Sequence, residues 1–125
     1  MGIKRIMPDG VSDSCSKLLE YMLDNTINNG MVWKNGLDYF STEFKNIQVS
    51  ISKHLGNIGG NMFVYLENKT YISTFDYDYD DDALELQRNI RQLALLVNNQ
   101  LEEIKKNNTL QKENNFINAI NELIV

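Results

Sequence analysis

Phe75-Asp76-Tyr77-Asp78-Tyr79-Asp80-Asp81-Asp82 is the stretch on which the reading of this chain turns. Ahead of it, Ile47, Val49 and Ile51 alternate with Gln48, Ser50 and Ser52, the period of a strand buried on one face. Behind it, Leu86, Ile90, Leu93, Ala94, Val97, Leu101 and Ile104 recur every three or four residues, the period of a helix with one apolar side. The stretch therefore marks where a sheet hands over to helices. Asp82, with Glu85 three residues on, reads as a capping box whose carboxylates satisfy exposed amides and oppose the positive end of the helix dipole.

Working downstream, the spacing predicts a helix over residues 83–106, with Lys105 and Lys106 at the negative end of its dipole. At about 1.5 Å per residue it would run about 36 Å, longer than a compact domain of this size needs. Part of it is expected to serve a partner. Asn107-Asn108 interrupts the stripe, and Asn108 with Gln111 reads as the cap of a last helix carrying Leu110, Phe116, Ile117, Ile120, Leu123 and Ile124. These two helices are expected to form an antiparallel hairpin.

Working upstream, Met62, Val64 and Leu66 and then Ile72 lie on one face of a strand pair joined by Glu67-Asn68-Lys69, provided that Leu66 pairs with Thr70 and Val64 with Ile72. That register puts Phe63, Tyr65, Tyr71 and Phe75 on the other face. Asn35-Gly36 reads as the type I′ turn of a hairpin between Met31-Val32-Trp33 and residues 37–40. Met7-Pro8-Asp9-Gly10 reads as a tight turn, after which Ser12 or Ser14 caps a helix with Cys15, Leu18, Leu19, Met22, Leu23 and Ile27 on one side. Gly30 is expected to close that helix in the left-handed conformation. The expected fold is thus α+β: an N-terminal helix, an antiparallel meander of three to five strands, and a C-terminal helical hairpin with one long helix. All of it fits a single domain spanning residues 1–125.

Composition narrows the function. A net charge of -5 leaves no basic stripe to displace counterions from a phosphate backbone, which argues against direct nucleic-acid binding. No apolar run approaches the roughly 18 residues that span a bilayer, and the N-terminus carries neither an export signal nor a myristoylation motif. Cys15 has no cysteine to pair with, so a reducing, cytoplasmic setting is the expectation. With one histidine, His54, and one cysteine on the apolar side of a helix, neither a nucleophile and base pair nor a zinc site can be assembled. The chain is expected not to be an enzyme and to need no cofactor.

Three constellations remain. Asp76, Asp78, Asp80, Asp81 and Asp82 do not fit a calcium loop, because frames starting at Asp76 or Asp78 lack both the glycine turn and the bidentate glutamate. They suit helix capping, or an acidic surface that attracts a basic protein partner. Leu84, Arg88, Arg91 and Leu95 form a ridge opposite the main stripe of the long helix, a seam for a partner or for homodimer formation. Gly59 and Gly60 beside Lys53 and His54, the aromatic face of Phe63, Tyr65, Tyr71 and Phe75, and Arg88 or Arg91 together suggest an alternative, a pocket that sequesters a small ligand or nucleotide. The leading expectation is a non-catalytic protein that binds a macromolecular partner stoichiometrically. Small size, acidity and the lack of a catalytic set are also the profile of immunity proteins, antitoxins and phage or mobile-element inhibitors of defence.

Overall fold

The structure, a computed structural model, describes residues 5–28, 30–53, 60–78 and 81–124, without the side chains of 81–83. The chain runs β1 (Arg5–Ile6), α1 (Asp9–Ile27), β2 (Lys34–Asn35), β3 (Tyr39–Phe44), β4 (Ile47–Ser52), β5 (Met62–Leu66), β6 (Tyr71–Ser73), a 3-10 turn (Thr74–Asp76), β7 (Tyr77–Asp78) and α2 (Asp81–Ile124). Strands β2 to β6 form an antiparallel meander in sequence order, and β1 pairs in parallel with β7. The class is α+β, as the alternation of periods predicts.

Helix α1 starts earlier than its serines suggest. Pro8 is the N-cap, and its carbonyl accepts from the amides of Val11 and Ser12, both at 3.0 Å. Pro8-Asp9-Gly10 is therefore a helix start and not a free turn: the Pro8 carbonyl opens the hydrogen-bond ladder, and Asp9 in the first turn opposes the dipole. At the other end the Gly30 amide donates to Asn25 O at 2.8 Å, without the left-handed φ expected of this glycine.

The tight hairpin turn lies at Lys45-Asn46 and not at Asn35-Gly36. Lys45 and Asn46 both have positive φ, 47° and 67°, and join β3 to β4 as a two-residue type I′ turn with Phe44 opposite Ile47. Asn35-Gly36 instead opens a wider connection with Asn35 opposite Phe40. Glycine is needed there, because a Cβ on Gly36 would lie 2.7 Å from the Tyr39 carbonyl oxygen. The β5–β6 register is the one that sorts the side chains, with Val64 opposite Ile72, the Leu66 amide donating to Thr70 O at 2.9 Å, and Lys69 taking the positive φ of 70°.

Both helices lie on one face of the meander. Phe40, Val49, Ile51 and Met62 from the sheet, Cys15, Leu19 and Met22 from α1, and Leu86, Ile90, Leu93, Ala94 and Val97 from α2 make one buried cluster. Polar bonds fix its far end: the Trp33 indole donates to Thr26 Oγ1 at 2.9 Å, and the Gln100 amide donates to Thr26 O at 2.6 Å. One buried threonine thus joins α1, the loop ahead of β2 and α2.

The C-terminal hairpin does not form. α2 is one helix of 44 residues, and Asn107-Asn108 lies within it. Asparagine costs a helix only a few tenths of a kcal/mol more than the average residue, whereas a break calls for glycine or proline, and none occurs between 81 and 124. At about 1.5 Å per residue the rod is about 66 Å long. Only its first half buries side chains against the rest of the molecule. From Leu101 inward the stripe packs on the core; residues 102–124 are exposed throughout.

Replacing Thr26 by Val keeps the shape of the side chain but leaves the buried Trp33 N–H without its acceptor. Urea titration should show a loss of about 1–3 kcal/mol, accompanied by a change in Trp33 fluorescence.

Candidate functional site

Three surfaces are open for binding: the free half of α2, the outer face of the meander, and the groove between the helices. The first exposes the most large apolar side chains. Phe116 is 67% exposed, Ile117 53% and Leu123 81%, and Leu110, Ile120 and Ile124 are exposed beside them. At about 100° per residue these six side chains lie on a side of the helix rotated by roughly 150° from the stripe that packs on the core. They share that side with Leu84, Arg88, Arg91 and Leu95. The apolar face of α2 therefore changes sides where the helix leaves the domain.

Of that ridge, Leu84 is half-buried, Leu95 is 49% exposed, and Arg88 and Arg91 are exposed. The seam read from the sequence thus lies outside the core, and it is the proximal part of a longer face. Both halves are visible in the sequence, but Asn107-Asn108 divides them between two expected helices. Phasing all of residues 84–124 on a single helix reveals the common side.

On the outer face of the meander, the alternation of β3, β4 and β5 turns Tyr39, Ser50, Gln48, Phe63 and Tyr65 outward, with Tyr71 from β6 beside them. Phe63 meets Tyr39 edge-on at 5.2 Å and stacks with Tyr71 at 6.4 Å, and Tyr65 lies 6.5 Å from Tyr71. These rings border a shallow depression of about 340 Å³. Tyr39 joins the face because β3 pairs with β4 with the inward Phe40 opposite Ile51, which turns its neighbour Tyr39 outward. Phe75 leaves it: the strand ends at Ser73, and Phe75 sits exposed in the 3-10 turn. Since α2 packs on the opposite face, Arg88 and Arg91 are not brought to the rings within one chain. Gly60 is buried just ahead of β5, and Gly59 and His54 lie outside the described residues.

Of the acidic stretch, the exposed Asp76 and Asp78 flank Tyr77, which is half-buried against the core, with the Arg5 guanidinium 5.9 Å from its ring centre. β1 thus covers one side of the stretch. Asp80 and the side chains of Asp81 and Asp82 lie outside the described residues. Close by, a groove of about 570 Å³ between α1 and α2 is lined by Asp9, Asp13, Glu20, Asp24 and Glu85, with no basic residue among its walls. Spacing along the chain could not reveal this second acidic surface, because Glu85 and the α1 carboxylates meet only when the helices pack. Among the described residues, no three His, Cys, Asp or Glu side chains gather as a metal site, and no helix is long and apolar enough to cross a membrane.

Compared with family models, curated proteins and solved structures, the chain matches none.

Cys15 faces an apolar cleft of about 320 Å³ between α1 and β4 to β6, and burial pushes its thiol above the ordinary value of 9.0. A thiol that holds its proton is a poor nucleophile. Iodoacetamide at pH 8 should label the native protein at least about tenfold more slowly than the chain unfolded in urea, as read by mass spectrometry.

Proposed function

We propose that this protein is a non-catalytic binding module that engages a protein partner stoichiometrically through the projecting half of α2. The observation that carries this reading is the exposure of six large apolar side chains on one side of residues 102–124. Single apolar residues at a surface are ordinary, but a contiguous stripe along a free helix marks a contact surface. The helix also needs support. It contains six asparagines, at 107, 108, 114, 115, 118 and 121, and a solvated segment of such composition is marginal as a helix until its apolar side is covered.

Charge favours protein over lipid as the cover. Residues 102–124 carry Glu102, Glu103, Glu113 and Glu122 against Lys105, Lys106 and Lys112, a net of -1, whereas helices that lie on membranes have polar faces rich in lysine and arginine. The exposed Asp76 and Asp78 and the acidic groove between α1 and α2 add a field that would orient a basic partner during approach. An inhibitor or immunity-type role, acting by occupancy and not by turnover, is the biochemical form this reading takes.

The test is a paired capture from extract of the native host. Phe116→Glu with Ile120→Glu should leave the melting temperature within about 2 °C, since both side chains are exposed, and should abolish capture of any stoichiometric partner. Identical capture by the native and doubly substituted proteins would refute the role of the helix.

A second reading rests on the ring cluster. Tyr39, Phe63, Tyr65 and Tyr71 with Gln48 and Ser50 offer stacking surfaces and hydrogen-bonding groups to a small planar ligand, such as a nucleobase. For a whole nucleotide, the arginines that would meet its phosphate lie on the other layer, so they serve only if a second molecule supplies them. In a thermal-shift series of nucleosides and nucleotides, a rise of several degrees that is lost in Phe63→Ala would support this reading.

A further inference from the structure

We infer that the cleft beside Cys15 is a binding site for one aliphatic chain of about ten to twelve carbons, the hydrocarbon tail of a small amphiphile. The length comes from the size of the space. An apolar cavity of roughly 150 Å³ takes up a benzene molecule, so a cleft of about 320 Å³ takes up about twice as many carbons. That is also the lower end of the range for small-ligand pockets.

The fold leaves this space unfilled. Val11 and Leu18 from α1 and Ile47, Val64, Leu66 and Ile72 from the sheet line the cleft, and all six are only half-buried. No residue of α2 is among the walls, because the groove that α1 shares with α2 runs along the other side of α1. This corner of the sheet thus has one helix over it where the centre has two. α1 itself leaves room there, since a Cβ on Gly10 would meet no atom within 4 Å. Protein interiors are otherwise close-packed, so six apolar side chains around a gap of this size lack contacts that a ligand can supply.

The chemistry of the walls selects the occupant. No charged residue lines the cleft, and Ser14, Cys15 and Thr70 are its polar members. A water held in such a space needs about two to four polar partners, which these walls do not offer in their depth, so hydrocarbon fills it better. Ser14 and Thr70 are exposed, and their hydroxyls stand where a tail would end and its head group meet solvent. A peptide added as a strand is the other occupant that an apolar cleft beside a sheet edge invites. The edge is too short for it: β6 has three residues, and Ser73 at its end is buried. A hydrocarbon tail needs no backbone partners.

The experiment is a series of unbranched carboxylates, from hexanoate to tetradecanoate, titrated below their micelle concentrations into the full chain by isothermal calorimetry. Affinity should rise about fourfold per added CH₂ and then level off at about ten to twelve carbons, when the cleft is full. 1-Decanol should bind comparably to decanoate, since the walls read the tail. Gly10→Leu and Ser14→Phe each send a side chain into the cleft from an exposed position, so both should keep the melting temperature within about 3 °C and weaken decanoate about tenfold or more. Phe63→Ala, on the opposite face of the sheet, and Phe116→Glu with Ile120→Glu, on the free half of α2, should leave decanoate binding unchanged. An affinity that keeps climbing through tetradecanoate, binding by the carboxylates and not by the alcohol, binding that both filled variants retain, or no binding by any chain overturns the proposal.

Discussion

The constraint from which the rest of this structure follows is the continuity of α2. From residue 81 to 124 the chain holds neither glycine nor proline, so each turn supplies the acceptors for the next and nothing releases the backbone. A helix of that length cannot follow the outline of a domain this small. It packs where Leu86, Ile90, Leu93, Ala94 and Val97 meet α1 and the sheet, and then continues straight into solvent. Projection is the consequence of an uninterrupted hydrogen-bond ladder, not of a dedicated linker.

The domain is built to hold that first half firmly. α1 and α2 share one face of a five-stranded meander, and Thr26 accepts from both Trp33 and Gln100 just before the rod departs. The Gln100 carboxamide bonded to Thr26 O ties α2 to α1 where the rod leaves, because moving the helix would strip that donor of its acceptor, while the buried indole of Trp33 holds Thr26 itself in place. Firm seating turns a flexible extension into a directed one. A directed extension can present six apolar side chains in a fixed relation to the acidic groove.

Legibility differed by feature. The inward set Ile47, Val49, Ile51, Met62 and Val64 could be read directly, since a period of two with a defined register allows only one sorting. The aromatic face was read for Phe63, Tyr65 and Tyr71 but wrongly for Phe75, because Ser73 and Thr74 close the strand: the Ser73 hydroxyl accepts from the Phe75 amide and Thr74 accepts from Met62. The tight turn was read at Asn35-Gly36 and occurs at Lys45-Asn46. Asparagine-glycine favours that turn strongly, but the better pairing of two six-residue strands sets where the chain must reverse.

Periodicity in the sequence by itself determined which residues are apolar on which element, the α+β class, the strand pairing of β5 with β6, and the existence of a long helix behind the aspartates. These are local matters, fixed by side-chain direction within a few residues. Only the tertiary structure decided that both helices share one face of the sheet, that α1 carboxylates meet Glu85, that the arginines lie across the molecule from the rings, and that residues 102–124 of α2 stay exposed. Each of these depends on how far one element reaches past another. That is a property of lengths and packing angles in three dimensions, and no spacing along the chain records it.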